Sequence, residues 1–193
     1  MELWHAWSCP YCMRVRAALA EKGIPWQGRE VDLAKKPPEL FALNPKGGVP
    51  VLVVGDRIVP ESLAILEYLE ELRPEPRLLP DGAGREAVQD AYERVNALLG
   101  PHLFKLARGT PEEKAAAGGA VRAVLAGLDA KVQASGYLLA AYSIADLALA
   151  SFVGKLPPDL RPSALGLPNL ARWEGLVMER PAVRGQGAPA PAG

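Results

Sequence analysis

Residues Cys9-Pro10-Tyr11-Cys12 sit between a short apolar run, Leu3 to Trp7, and a helical stretch that opens Met13-Arg14-Val15-Arg16-Ala17-Ala18-Leu19-Ala20. No other feature constrains the chain as much, because it demands a strand that feeds directly into a helix with two thiols at the junction. Pro10 suits the first helical position, where a missing N–H has no partner to lose. Cys9 then becomes the residue that caps the helix. Its sulfur meets unpaired main-chain donors and the positive end of the helix dipole, and both favour thiolate over thiol. Arg14 and Arg16 add positive charge nearby. Cys9 is therefore the expected nucleophile, the more acidic and more exposed of the pair. Cys12 lies about one turn further in, close enough to act as a resolving thiol. A strand, a C-x-x-C and a helix in that order point to thiol redox chemistry.

Other uses of the two cysteines fit less well. A structural zinc needs four ligands, and His5 and His102 are the only imidazoles, without paired spacing. No metal site is expected. A disulfide closing so short a loop would constrain the unfolded chain little. Inert buried cysteine suits free thiols in general, but not a Cys-Pro pair at a helix start.

Composition narrows the partners. The 193 residues carry 22 basic and 22 acidic side chains, interspersed, for a formal net charge of zero. That leaves no electrostatic footprint for nucleic acid or an anionic membrane surface. No apolar run approaches the length needed to cross a bilayer. The N-terminal residues show no basic region, apolar core and cleavage site of a secretory leader. With both cysteines in one motif, the expected compartment is a reducing cytoplasm.

Periodicity and turn residues organise the rest. After the first strand comes a helix over residues 10–22, stopped by Gly23. A second strand spans Trp26 to Leu33, parallel to the first through the helix. A short Pro-initiated helical turn spans Lys35 to Leu43, and Asn44-Pro45-Lys46-Gly47-Gly48 is a loop. Val49 to Val54 is a buried strand that turns at Gly55-Asp56 into Arg57-Ile58-Val59, a hairpin. Ser62 then caps a helix with Leu63, Ile65, Leu66, Leu69 and Leu72 on its apolar face. The order is β-α-β-α-β-β-α. Residues 73–84 are rich in Pro and Gly, and past them strand signals vanish. Arg85 to Arg108 is helical, broken or bent at Gly100-Pro101. Thr110-Pro111-Glu112-Glu113 opens the next helix. Ser143-Ile144-Ala145-Asp146 forms a capping box with Asp in place of Glu and starts a strongly apolar helix. Pro168 to Met178 is the last amphipathic one. The expected organisation is a domain at 1–75, a linker at 76–84, a helical domain at 85–184 and a disordered tail at 185–193.

These pieces together resemble the cytosolic glutathione transferase superfamily over nearly the whole chain. The residues that carry it are the loop and strand Ala42-Leu43-Asn44-Pro45-Lys46-Gly47-Gly48-Val49-Pro50-Val51-Leu52 and the helix start Pro60-Glu61-Ser62-Leu63. Arg73-Pro74 through Leu78-Leu79-Pro80, Ser143-Ile144-Ala145-Asp146, and Pro168-Asn169-Leu170 with Trp173 and Arg180-Pro181 complete it. The resemblance implies an α/β thioredoxin-like N-terminal domain followed by an all-α C-terminal domain. It implies glutathione as co-substrate and a cis Pro50 that presents the Val49 main chain to an extended peptide, a form of strand addition. Ser62 would receive the γ-glutamyl carboxylate, Glu61 its ammonium, and Lys36 the glycine end. The helical domain would supply the wall for a second substrate, with Tyr92, Leu99 and Phe104 as candidates. A homodimer is also implied.

Cys9 at the catalytic position makes the chain similar to omega-like, two-domain glutaredoxin-like members. Residues 14–20 are similar to the zeta, maleylacetoacetate isomerase-like class, which has Ser where this chain has Cys9 and Pro10. The function this implies is a glutathione-dependent thiol–disulfide oxidoreductase or thioltransferase acting on an oxidised thiol, resolved by glutathione or by Cys12. The alternatives are conjugation of glutathione to small electrophiles and non-enzymatic redox sensing on the same fold.

Overall fold

The first strand of the computed structural model, which describes residues 1–186, is β1 (Glu2–His5). It feeds α1 (Pro10–Glu21), then β2 (Gln27–Glu30), α2 (Pro38–Leu43), β3 (Val51–Val54), β4 (Arg57–Pro60) and α3 (Ser62–Leu72). The sheet order is β2-β1-β3-β4. β1 runs parallel to β2 with Leu3 opposite Gly28, and antiparallel to β3 with Leu3 opposite Leu52. β3 and β4 form the expected hairpin, Val54 facing Arg57, with Gly55 at a positive φ of 57°. The element order matches the sequence reading throughout this half.

Strand alternation divides the core into two faces. Trp4 and Val51 pack with Val31 and Leu40, while their neighbours Leu3 and Leu52, also fully buried, point the other way. Gly23 ends α1 at φ 58°, where Ile24 N–H donates to Leu19 O at 2.9 Å and closes the helix end. A buried ion pair then ties that end to α3: Lys22 Nζ lies 2.7 Å from Glu70 Oε2. The ammonium also donates to the carbonyls of Arg73 and Pro76, and Glu70 accepts the Leu78 N–H. Each partner thus has further polar contacts, the condition under which a buried pair is tolerated. Residues 73–78 are held to the first unit by these bonds.

The described residues divide into two compact units, the first comprising Met1–Leu78 with Pro181 onward, the second Leu79–Arg180. The second contains α4 (Ala83–Arg108), α5 (Pro111–Asp129), α6 (Ile144–Val153) and α7 (Pro168–Met178), with a 3-10 turn at Pro158–Leu160. α4 runs through Gly100-Pro101 as one helix rather than breaking there; Pro101 removes one main-chain donor but not the helix on either side. Thr110 and Glu113 cap α5 reciprocally, Glu113 N–H to Thr110 Oγ1 and Thr110 N–H to Glu113 Oε2.

Asp146 organises the second unit. It is fully buried and accepts four hydrogen bonds: Leu138 N–H at 3.0 Å, Trp173 Nε1 at 2.9 Å, and both Ser143 N–H and Ser143 Oγ. One carboxylate therefore caps α6, pins the loop before it and anchors α7. The last short helix, α8 (Pro181–Arg184), expected with the helical region, instead packs on α1 and belongs to the first unit. Gln186, expected in the tail, is bonded to Arg16. The remaining residues of that expected tail, 187–193, lie outside the described residues.

Asp146→Ala leaves buried donors on Leu138, Ser143 and Trp173 without an acceptor, and stability falls by about 2–4 kcal/mol. Urea denaturation checks this; a midpoint unchanged from the parent protein refutes it.

Candidate active site

The β1–α1 junction places both thiols as local geometry dictates. Cys9 is the N-cap of α1, in extended conformation at φ −80° and ψ 121°, with Pro10 at the first helical position. It is 9% exposed, whereas Cys12 is wholly buried. Cys9 Sγ lies 3.8 Å from the Val49 carbonyl oxygen, and Ala6 N–H donates to Cys12 Sγ at 3.5 Å. Both cysteines are free thiols.

The two sulfurs differ sharply in acidity. The Cys12 thiol donates toward Cys9 and holds its pKa down, to about 6. Burial opposes this, while the N–H groups of Cys12 and Tyr11 and the charge of Arg14 assist. Burial and the neighbouring Cys9 push the Cys12 thiol far up. Arg14 has no solvent exposure, and its guanidinium lies 4.8 Å from the Tyr11 ring centroid. A neutral thiol donor beside a thiolate acceptor is the expected arrangement for a pair in which one member is anionic.

A cleft of about 120 Å³ is lined by Tyr11, Asn44, Gly48, Val49, Pro50, Glu61 and Ser62; neither thiol lines it, and Cys9 meets it through Val49. The Val49–Pro50 peptide bond is cis, and Val49 precedes β3, so its main chain lies outside the ladder. Asn44 shapes the approach, donating to Gly48 O at 3.1 Å and accepting from Lys46 N–H at 3.2 Å. Gly47 must be glycine: φ is 61°, and a Cβ there would stand 2.5 Å from the Phe41 ring.

Glu61 and Ser62 open α3 at the cleft. Ser62 is not the cap that the sequence suggests; the N-cap is Glu61, and Ser62 is the first helical residue, 7% exposed. Glu61 has φ 71° and ψ 130°, and is the one non-glycine residue at positive φ among the described residues. Such a conformation costs on the order of 1–3 kcal/mol and tends to persist where function requires it. Its exposed carboxylate lies 3.7 Å from Lys46 Nζ.

The structure brings Cys9, Cys12, Val49, Pro50, Glu61 and Ser62 into one region. It does not bring Lys36, which is exposed on the loop before α2 and is not among the cleft-lining residues. Tyr11, Asn44 and Lys46 join the site without having been singled out. Tyr11 lay inside the C-x-x-C motif, so its proximity was readable; the other two depend on how the loop folds back. Of the three residues suggested for a second-substrate wall, Tyr92 and Leu99 are buried and only Phe104 is exposed. Their side chains fill helix-facing positions that periodicity alone could not separate from a pocket wall.

Comparison with known proteins gives this geometry a family. The glutathione S-transferase N-terminal domain model matches residues 3–77. A probable glutathione transferase of Aplysia californica is 46% identical over 88 residues, covering 46% of this chain and 91% of that protein. The stringent starvation protein A homolog of Haemophilus influenzae is 38% identical over 110 residues, 55% of this chain and 51% of its own length, so the chain spans about half of that relative. Among solved structures, glutathione transferase Omega 3C from Trametes versicolor matches with a TM-score of 0.82 at 29% identity, covering 98% of this chain and 89% of that one. A maleyl pyruvate isomerase, a bacterial glutathione transferase of the zeta class, matches at 0.81 and 25% identity over the full length of both chains. Nearly all of the Aplysia relative aligns, and solved transferases share the fold across almost the entire sequence; the chain belongs to the glutathione transferase superfamily.

Proposed function

We propose that this protein is a glutathione-dependent thiol–disulfide oxidoreductase, a thioltransferase with Cys9 as nucleophile. The observation that carries the reading is the divergence of the two thiols. Cys9 sits at the helix start beside a cleft with its pKa drawn down to about 6, while Cys12 is buried and held as a thiol. A conjugating transferase that activates the thiol of its co-substrate would have no use for an anionic protein sulfur.

The residues present suit glutathione. Ser62 and the main-chain donors of the first turn of α3 offer a carboxylate site, as helix N-termini do. The exposed Glu61 carboxylate offers a partner for the adjacent ammonium, and the Val49 main chain offers strand-like pairing for the peptide. The cleft at Glu61 and Ser62 takes the γ-glutamyl end, leaving the glycine end in the open. In the reaction, Cys9 thiolate attacks the glutathione sulfur of a glutathionylated substrate. A new S–S bond forms, the old one breaks, and the substrate leaves as a thiolate that takes up a proton. A second glutathione thiolate then attacks the sulfur held on Cys9, regenerating Cys9 thiolate and releasing glutathione disulfide. Cys12, once deprotonated, can instead attack the Cys9 sulfur, expelling glutathione as a thiolate and leaving a Cys9–Cys12 disulfide that two further glutathiones reduce; its burial favours glutathione as the resolving thiol.

Conjugation of electrophiles is the second reading, favoured by relatives named as transferases. The proposed working compartment is the cytoplasm, from the single C-x-x-C. A homodimer is proposed with it. In support, Leu98, Ala123, Val124, Gly127 and Leu128, with Lys131 at the end, line an open and mostly apolar groove between α4 and α5, a surface of the kind that a partner covers.

Four outcomes test these assignments. Alkylation of Cys9 by iodoacetamide rises with pH through a midpoint near 6, since the thiolate is the reactive form, and Cys12→Ala raises that midpoint by removing the thiol donor. Cys9→Ser abolishes turnover of a glutathione mixed disulfide, whereas Cys12→Ser retains it; full activity in Cys9→Ser, with conjugation of an aryl halide intact, selects the second reading. Ser62→Ala weakens glutathione binding by about 1.5–3 kcal/mol, the loss of one hydrogen bond to a charged group, and unchanged affinity by calorimetry removes Ser62 from the site. Light scattering gives twice the chain mass at micromolar concentration, and a monomer there refutes the dimer.

A further inference from the structure

Arg16 is buried without any solvent exposure, and a guanidinium cannot shed its charge to relieve the cost. Among the described residues its hydrogen-bond partners are all neutral. Nη1 donates to the Ala6 carbonyl at 3.2 Å and lies 3.4 Å from His5 Nδ1. Nε donates to the side-chain oxygen of Gln186 at 3.2 Å, and Nη2 to the Gln186 main-chain oxygen at 3.1 Å. The guanidinium also stacks on Trp7, 4.4 Å from the ring centroid. Burial and the charge of Arg16 hold His5 down, at about 4, so it adds no charge near neutrality. Gln186 is itself oriented, since its Nε2 donates to Ala182 O at 2.9 Å and leaves the amide oxygen for Arg16.

Ala6 is where this cluster meets the thiols. Its carbonyl accepts both Arg16 Nη1 and the Cys9 N–H, the latter at 3.2 Å. Its N–H donates to Cys12 Sγ. A shift of Ala6 therefore moves both cysteines. We propose that Gln186 is a positioning residue for the thiol pair: it clamps the buried Arg16 guanidinium against Ala6, so that the segment following α8 holds Cys9 and Cys12 in their reactive arrangement. The clamp joins residues 170 positions apart in the chain.

Loss of the clamp removes acceptors from two guanidinium nitrogens, and water must take their place. A hydrated, mobile cation is screened, and it stabilises nearby thiolate less than a fixed, dry one. The charged and titratable groups around the thiols are Arg14 and Arg16 on α1, His5 at the end of β1, and Glu61 at the start of α3. Arg16 is bonded to Gln186, in the segment after α8.

The proposal rests on Cys9 being the nucleophile, and its test uses no glutathione. The full chain is treated with iodoacetamide across a pH series, and alkylation is mapped to Cys9 by tandem mass spectrometry. In Gln186→Ala the midpoint rises by about half a pH unit, so that alkylation below it is about threefold slower while the rate on the high-pH plateau is unchanged. A contact that only supported the fold would not produce a pH-selective effect. Gln186→Glu keeps an acceptor for Arg16 and so preserves the fold, but it places a negative charge against the guanidinium; its midpoint rises at least as far. A low wild-type midpoint that stays unmoved in Gln186→Ala overturns the clamp alone. A wild-type Cys9 with no low midpoint overturns the nucleophile assignment and the clamp with it.

Discussion

The junction between β1 and α1 must satisfy several buried polar groups in very little space, and the rest of the site follows from how it does so. Ala6 donates to one thiol and accepts from the amide of the other cysteine. Pro10 supplies no N–H where none can be used. Cys9 sits there as the N-cap, its sulfur at the positive end of the helix without a side-chain cap hydrogen bond. Because unmade buried hydrogen bonds are expensive, this region has little freedom to rearrange, and the position of Cys9 is set by the main chain rather than by its own side chain.

Desolvation acts on both cysteines, yet their acidities move in opposite directions. Cys9 is nearly as buried as Cys12, so burial alone would raise both. What separates them is their surroundings: the neighbouring Cys12 thiol, the N–H groups of the first turn and the Arg14 charge favour the Cys9 thiolate over the opposing effect of burial, while burial and the adjacent Cys9 keep Cys12 protonated. One proton shared between two sulfurs settles on the one that water cannot reach. α3 repeats the same device across the cleft. Its N-terminus presents Ser62 and main-chain donors, with Glu61 held at a positive φ to turn the chain into the helix.

The helical unit uses a single buried carboxylate in a comparable way. Asp146 loses hydration on burial, which pushes its pKa up, while the donors of Leu138, Trp173 and Ser143 act in the opposite sense. Their convergence couples a loop, a helix start and a second helix through one side chain. Lys22 and Glu70 do the same for the first unit, joining α1, α3 and the chain after α3.

Local rules were sufficient wherever a residue acts on its sequence neighbours. The Cys9-Pro10 helix start, the Gly23 stop, the Gly55 hairpin and the Ser143–Asp146 capping box are all short-range chemistry, and the strand and helix order followed from them. The family motif brought Val49, Pro50, Glu61 and Ser62 into consideration as a group. Local rules failed where a longer-range contact decided the outcome. Gly100-Pro101 reads as a break or a bend, and α4 continues through it as one helix. Ser62 reads as a cap, but the chain enters α3 one residue earlier, at Glu61. Tyr92 and Leu99 read as wall residues and are buried. The Lys22–Glu70 pair and the Gln186 contact to Arg16 join positions that no local period connects. The sequence by itself determined which elements form and which sulfur heads a helix, because those are set within a turn or two of chain. Only the tertiary structure decided how buried each sulfur is, which cation stands near it and what holds that cation, because burial and electrostatic screening depend on everything packed around a group.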